Sequence, residues 1–161
     1  MGTVRFASAS PEETRALGEA LGRVLQDGDF VGLVGELGSG KTELARGIAR
    51  GAGIRDEDVS SPSFSIVHQH HGRIPLTHAD LYRLTGPTDL DGTGFHELRD
   101  GAGATLVEWV DRIPGAAPPD ALRVVLEEPA ENARELLVTA SGPRSERLLV
   151  RWRDELLGRA G

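Results

Sequence analysis

A glycine-rich segment with the sequence GELGSGKT, residues 35–42, is the feature that most constrains the fold of this 161-residue chain. It matches the pattern G-x-x-x-x-G-K-[ST], in which backbone N–H groups curl around phosphate oxygens. The apolar run at residues 30–34 predicts a buried strand before the loop, and apolar residues at helical spacing predict a helix after it. This order predicts an α/β sheet that binds phosphate at the N-terminus of a helix. An ordinary glycine-rich turn is the alternative interpretation.

The single lysine of the chain argues against that alternative. Of the 18 basic residues 17 are arginines, and the one lysine, Lys41, occupies the motif position that reaches the β- and γ-phosphates. A compact ammonium suits this position better than a wide, planar guanidinium. The next residue, Thr42, supplies the hydroxyl expected to bind Mg²⁺. The nucleotide-binding candidates in the loop are Glu36, Leu37, Gly38, Ser39, Gly40, Lys41 and Thr42.

Charge and composition exclude several classes of protein. The 25 acidic residues give a formal net charge of -7, which argues against electrostatic binding to a nucleic-acid backbone or an anionic membrane. Because the chain has no cysteine, disulfides, cysteine-based zinc sites and thiol nucleophiles are excluded. No apolar run approaches the roughly 18 residues of a membrane span, and the N-terminus lacks the pattern of a signal peptide. We expect a soluble, cytoplasmic protein with a single domain over residues 1–161.

Periodicity and turn signals predict the remaining elements. Ser10, Pro11 and Glu13 predict the start of a helix with a capping box, and the apolar stripe of that helix ends near Gly28. The predicted strands cover residues 3–6, 30–34, 64–69, 74–79, 104–107, 122–126 and 135–139; short helices in a mobile segment are predicted within 85–100 and a last helix at 143–157. The third and fourth strands are expected to form a hairpin, and the last two an antiparallel pair. The predicted fold is an α/β three-layer sandwich of the P-loop NTPase type, with a mixed, mostly parallel central sheet and antiparallel additions.

Two acidic residues follow predicted strands and are candidates for the partner that a P-loop needs to hold Mg²⁺. Asp80 ends the strand at 74–79, and Glu108 ends the more apolar strand at 104–107. A solvated strand end is the alternative for each. Trp109, next to Glu108, either stacks on a nucleotide base or fills the core, and the residues alone favour the core.

Serine and histidine clusters are less informative. Ser60, Ser61 and Ser63 surround a proline, where hydroxyls contact Mg²⁺ or the attacking water in switch loops. A turn with local side-chain hydrogen bonds is the favoured alternative. The histidines at positions 68, 70, 71 and 78 suggest a metal site, but solvated strand ends are favoured because no cysteine or separated ligand pair accompanies them.

Four motifs in order along residues 10–113 resemble the TsaE (YjeE) family, bacterial P-loop ATPases of the pathway that places threonylcarbamoyl on adenosine 37 of tRNA. They are GELGSGKT at 35–42, SPSF at 61–64, HADLYRL at 78–84 and VEW at 107–109. The third and fourth, at these distances from the loop, are specific to the family. The chain departs from the family pattern at Ser63, where threonine is usual, and at residues 68–70, where an acid followed by tyrosine is usual.

The resemblance implies a role for individual residues. Lys41, Asp80 and Glu108 would be catalytic, with Asp80 near the metal or the attacking water. Thr42 and Glu108 would hold Mg²⁺. Trp109 would lie close to the nucleotide, which reverses the preference for the core, and Thr14 would contact its nucleoside side. Ser61 and Ser63 would belong to a mobile switch-like loop. Arg83 would either sense the γ-phosphate or form a structural ion pair.

The resemblance also implies a function. The chain would be a Mg²⁺-dependent ATPase, slow alone and stimulated by a partner, that binds the TsaD–TsaB heterodimer and allows repeated turnover. Stable direct binding to tRNA by the chain alone is not expected, nor is association with a membrane. A P-loop kinase for a small molecule is the alternative enzyme, although the segment 85–100 offers only Arg99 for its lid. The alternative that is not an enzyme is a binding module that is gated by a nucleotide and has no useful turnover.

Overall fold

The computed structural model describes residues 3–36, 40–55 and 66–160. The strands are β1 (Thr3–Ser8), β2 (Phe30–Val34), β3 (Val67–His71), β4 (Pro75–Asp80), β5 (Ala104–Glu108), β6 (Leu122–Ala130) and β7 (Ala133–Ala140). The helices are α1 (Pro11–Val24), α2 (Lys41–Gly51), α3 (Pro87–Asp91), α4 (Phe95–Arg99) and α5 (Pro143–Ala160), with a 3₁₀ turn at Val110–Arg112. None of the described helices is long and apolar enough to span a bilayer.

The described strands form one sheet in the order β1-β7-β6-β2-β5-β4-β3. The four central strands β6, β2, β5 and β4 run parallel to one another. Antiparallel pairs extend the sheet at both edges, β7 and β1 beside β6, and β3 beside β4. The predicted mixed sheet, its hairpin and its C-terminal antiparallel pair are confirmed.

Apolar side chains cover both faces of the sheet. One cluster joins α1, α2 and α5 to alternate residues of the central strands, and Trp152 of α5 lies at its centre with no exposed surface. The other cluster joins Phe95 and Leu90 of the short helices to the opposite face of β4 and β5. Alternation along a strand sends successive side chains to opposite faces, so the two clusters are separate layers. The predicted three-layer α/β sandwich is confirmed.

Several predicted boundaries are wrong; β6, for example, extends to Ala130, four residues beyond its predicted end. α1 starts as expected, with Ser10 Oγ accepting a hydrogen bond from the Glu13 amide at 3.1 Å, but it ends at Val24 rather than near Gly28. The Gln26 amide donates to the Asp29 carboxylate at 2.8 Å, and this contact closes a turn before β2. β3 starts at Val67 and extends to His71, two residues beyond the predicted end.

Candidate nucleotide-binding site

The candidate site lies where the central parallel strands end. β2 leads into the loop before α2, and Asp80 and Glu108 are register partners at the last positions of β4 and β5. Ligands of open α/β sheets bind outside these carboxyl ends of the strands. A cavity of about 270 Å³ is lined there by Gly40, Lys41, Thr42, Glu43, Asp80, Glu108, Trp109 and Arg134. The structure therefore brings together residues that are far apart in the sequence.

Lys41 is the first residue of α2 and is only 5% exposed. Its Nζ donates hydrogen bonds to the carbonyl oxygens of Gly35 and Glu36, the latter at 2.8 Å. It also lies 4.1 Å from the centre of the Trp109 ring, within range of a cation–π contact. Burial lowers the pKa of Lys41, while the negative charges of Glu108 and Asp80 oppose the shift. The ammonium is thus held at the cavity by groups that an anionic ligand can replace.

Gly40 directly precedes α2 and has a left-handed backbone conformation, with φ of 104°. This conformation is available to glycine at little cost. It is followed at once by the first turn of the helix, whose N–H groups have no partner within the helix. Thr42 is exposed in that turn and lines the cavity. The start of α2 therefore offers amide donors and a hydroxyl to a phosphate and its metal.

The two acidic residues at the strand ends differ in their surroundings. Asp80 Oδ1 accepts a hydrogen bond from the Tyr82 amide at 3.0 Å. Burial raises the pKa of Asp80, the Tyr82 hydrogen bond opposes the rise, and the charge of Glu108 adds to it. Glu108 is buried, and its Oε2 lies 2.8 Å from Nε2 of His78. Asp80 therefore takes up a proton more readily than an ordinary aspartate.

Trp109 combines the two environments that the sequence left open. Its backbone is left-handed, with φ of 59°, which is uncommon for a bulky residue and turns the chain directly after β5. The ring packs against the second apolar cluster and lies 4.9 Å from the Tyr82 ring, yet it also lines the cavity. It is a wall of the site that is anchored in the core.

The chemistry of the cavity fits a magnesium ion accompanied by a nucleotide. The Thr42 hydroxyl and the Glu108 carboxylate offer oxygen atoms suited to a metal on its lining, and the Asp80 carboxylate lies beside that of Glu108. Mg²⁺ is usually bound by one or two protein groups together with substrate phosphates and water. Within the described ranges, no group of three or more histidine, cysteine or acidic side chains is arranged to hold a metal. The ring centres of His68 and His70 are 6.0 Å apart.

Some predicted site residues have another placement or lie outside the description. The Thr14 side chain is buried, its hydroxyl is 2.6 Å from Ser8 Oγ, and it is not among the cavity-lining residues. Its contact with the nucleoside stays a prediction and would require a different hydrogen-bonding arrangement. Glu36 is exposed and contributes its carbonyl to Lys41, and Arg83 is exposed. Leu37, Gly38 and Ser39, and the serines Ser60, Ser61 and Ser63, lie outside the described residues.

Three residues at the site were missed in the sequence. Arg134 reaches the cavity from the start of β7, next to β1 and far from every motif, so only the strand order locates it. Glu43 lines the cavity and pairs with Arg15 of α1 at 2.7 Å. His78 contacts Glu108 and was considered only as a possible metal ligand. Its position at the start of the HADLYRL motif was a signal that pointed to the site.

Comparison with known proteins agrees with this arrangement. The family model described as threonylcarbamoyl adenosine biosynthesis protein TsaE matches residues 8–136. A tRNA threonylcarbamoyladenosine biosynthesis protein TsaE from Bacillus subtilis is 35% identical over 149 residues, covering 92% of each chain. The protein of the same name from Treponema pallidum is 36% identical over 135 residues, covering 84% of this chain and 99% of the relative.

The fold is also that of a solved relative. A crystal structure of YdiB from Bacillus subtilis superposes with a TM-score of 0.80 and 31% sequence identity, covering 95% of both chains. The chain belongs to the TsaE family of threonylcarbamoyl adenosine biosynthesis proteins.

Proposed function

We propose that this protein binds and hydrolyses ATP as the subunit required for threonylcarbamoylation of adenosine 37 in tRNA. The observation that carries the proposal is the shared cavity of Lys41, Thr42, Asp80 and Glu108 at the carboxyl ends of the strands. A lysine, a hydroxyl and two carboxylates are the groups that P-loop enzymes use on a nucleoside triphosphate and its Mg²⁺. The names of the curated relatives supply the pathway.

In this proposal the loop at residues 36–42 binds the phosphates through its amides, and Lys41 moves from the carbonyls of Gly35 and Glu36 to the β- and γ-phosphates. The present contacts of Lys41 support this role because they hold the ammonium at the cavity with neutral acceptors. Exchange of two carbonyl oxygens for anionic phosphate oxygens strengthens each hydrogen bond. Trp109 remains beside the nucleotide as the wall of the site.

Thr42 and Glu108 would hold Mg²⁺, which when bound neutralises charge on the transferring phosphoryl group. Asp80 would orient the attacking water beside it. Asp80 and Glu108 are register partners on neighbouring strands, which supports these separate roles. Glu108 would bind the metal, and Asp80 would lie beside it without binding it. The backbone hydrogen bond from Tyr82 holds Asp80 in place.

The proposed protein partner is the TsaD–TsaB heterodimer, which would carry out the transfer itself. The curated relatives are named for biosynthesis of the modified nucleoside, which implies further proteins in the same pathway. With a formal net charge of -7, this chain is better suited to act on a protein partner than to grip tRNA. Hydrolysis by the chain alone would be slow and would accelerate in the complex.

The decisive experiment measures release of phosphate from labelled ATP with Mg²⁺, by the chain alone and with the TsaD–TsaB pair. Free phosphate that appears faster with the pair supports the proposal. Transfer of the label to a small molecule would instead identify a kinase. A kinase would need a lid in the segment 85–100, where Arg99 is the only arginine. Arg99 donates hydrogen bonds to the carbonyl oxygens of Gly115 and Ala116 and does not line the cavity, which argues against that alternative.

Variants separate binding from hydrolysis. Asp80→Ala is expected to lose turnover far more than nucleotide affinity, because Asp80 acts on water. Thr42→Val is expected to weaken Mg²⁺-dependent binding, because it loses the metal-binding hydroxyl. Normal partner-stimulated hydrolysis by Asp80→Ala would overturn the assignment of Asp80. Nucleotide-dependent partner binding with an unchanged modification rate in Asp80→Ala would favour a nucleotide-gated module without useful turnover.

A further inference from the structure

His78 lies behind the cavity, in contact with the proposed metal ligand. It is 3% exposed, and its Nε2 is 2.8 Å from Glu108 Oε2. Asp80 and Glu108 line the cavity, whereas His78 does not. His78 and Asp80 are two residues apart on β4, so their side chains share one face of the sheet. The histidine therefore reaches the nucleotide site only through the carboxylate.

The hydrogen bond between His78 and Glu108 has a defined direction. A carboxylate only accepts, so the imidazole Nε2 carries the hydrogen and donates it to Glu108 Oε2. His78 Nδ1 is buried and has no hydrogen-bond partner within the described residues. A bare acceptor nitrogen at that position is consistent with the tautomer that has its proton on Nε2. The one N–H group of the neutral His78 ring therefore donates its hydrogen bond to Glu108.

We propose that His78 is a positioning residue that occupies Oε2 of Glu108 and so directs Oε1 toward the Mg²⁺ of the bound nucleotide. The inference rests on the proposed function, since it assigns a role toward the metal of that same site. Hydrogen bonds from outer residues orient metal-binding side chains, and their loss typically lowers metal affinity about 10–100-fold. Without His78, the Glu108 carboxylate is free to rotate toward the ammonium of Lys41, the opposite charge beside it in the cavity.

The test compares His78→Gln with His78→Met. The two replacements have similar length and volume, but only glutamine carries an N–H at the position of Nε2. Binding of a fluorescent ADP analogue is measured in EDTA and during a titration with Mg²⁺. We expect His78→Met to raise the apparent dissociation constant of Mg²⁺ about 10–100-fold, with unchanged affinity in EDTA. His78→Gln should remain close to wild type.

A second comparison asks whether His78 acts through Glu108. In a Glu108→Gln background, His78→Met should cause no further loss of Mg²⁺ affinity. An additive loss would overturn the inference, as would equal Mg²⁺ affinities for the methionine and glutamine variants or a matching loss of affinity in EDTA. Circular dichroism and thermal unfolding establish that the variants are folded. If His78→Met does not fold, His78→Asn replaces it, because its amide is one bond too short to reach Oε2.

The same data distinguish this inference from the proposed function. If wild-type binding does not depend on Mg²⁺, or if Glu108→Gln leaves that dependence unchanged, the assignment of Glu108 fails and the role of His78 fails with it. If Glu108→Gln weakens the dependence while His78→Met keeps the wild-type apparent dissociation constant of Mg²⁺, only the positioning role is wrong.

Discussion

At the scale of single residues, Lys41 shows why one basic side chain is not exchangeable for another. Its Nζ is bonded to two carbonyl oxygens and covered by the Trp109 ring, and the residue is almost fully buried. A guanidinium is wider and planar and holds its five donors in a fixed fork, so it does not reproduce the contacts of a compact ammonium. Conservation of charge is therefore not enough to conserve the site.

We predict that Lys41→Arg lowers the affinity for ATP at least about 100-fold, because two charge-assisted hydrogen bonds contribute roughly 1.5–3 kcal/mol each. Isothermal titration with a non-hydrolysable ATP analogue measures the effect. Arg153→Lys, an opposite exchange at an exposed position of α5, is the control and should bind as wild type does. Near-normal affinity in Lys41→Arg would contradict the role given to the lysine.

Asp29 is a buried carboxylate directly before β2 that does not line the cavity, and it gives a prediction about stability. Its Oδ2 accepts hydrogen bonds from the Gln26 amide and from Arg151, each at 2.8 Å, while Oδ1 has no hydrogen-bond partner within the described residues. Burial raises the pKa of Asp29, and the Gln26 hydrogen bond and the Arg151 charge oppose the rise. The folded protein therefore holds this proton to a higher pH than the unfolded chain does.

The contribution of Asp29 to stability is thus greatest below the unfolded pKa of about 3.9, and it declines as the pH rises through the raised folded pKa. Asp29→Asn cannot titrate. Urea unfolding of both proteins from about pH 4 upward should show the wild type losing free energy of unfolding relative to the variant. A difference that stays constant with pH, or that changes in favour of the wild type, would contradict the raised pKa.

At the scale of elements, glycines allow α1 and α2 to pack in close contact. Gly18 and Gly22 of α1 face the backbone of α2, and Gly47 and Gly51 of α2 face the backbone of α1. Residues four apart lie on the same side of a helix, so each helix presents a glycine pair to the other. This contact supports α2 and hence the start of the helix that carries Lys41 and Thr42.

Gly22→Ala is predicted to destabilise the protein by about 2 kcal/mol, since overpacking costs about 1–3 kcal/mol even where helix propensity improves. The added methyl group would overlap the Ile48 carbonyl oxygen and lie 2.8 Å from the Ala52 amide nitrogen. For a chain of this size the melting temperature should fall by roughly 4–8 °C. Thermal unfolding measures it.

The matched control is Gly158→Ala in α5, where an added methyl group meets nothing within 4 Å. Alanine should be neutral there or stabilise the helix by up to about 1 kcal/mol. Equal melting temperatures for Gly22→Ala and the wild type would show that the two helices separate without cost.

Local sequence signals predicted where helices and strands lie better than they predicted which residues contact one another. The loop motif located β2 and α2, and the serine cap located the start of α1, because each depends on residues close in sequence. The four-residue spacing of the glycine pairs is present in the sequence, but spacing alone does not identify the helix that they face. The contacts of Arg134 and of His78 with the site depend on strand order and register, which local periodicity does not specify.

At the scale of the whole molecule, the sheet order places the candidate site at one end of the parallel strands, in a chain with a formal net charge of -7. β2, β5 and β4 are consecutive neighbours in the sheet, so their carboxyl ends meet at the cavity although they do not follow one another in this order along the chain. Many arginines elsewhere are engaged with acids, including Arg5 with Glu135 and Arg23 with Glu155. The positive charge is thereby spread and partly neutralised.

We therefore predict that the chain alone does not bind tRNA at about 150 mM salt, because binding to the phosphate backbone needs unpaired Lys or Arg to displace counterions. Fluorescence anisotropy with labelled tRNA, read between roughly 50 and 200 mM salt, measures this, and the TsaD–TsaB pair serves as the comparison. Saturable binding by the chain alone, with an affinity that falls steeply as salt rises, would contradict the prediction. It would also show that a local basic surface outweighs the net charge of -7.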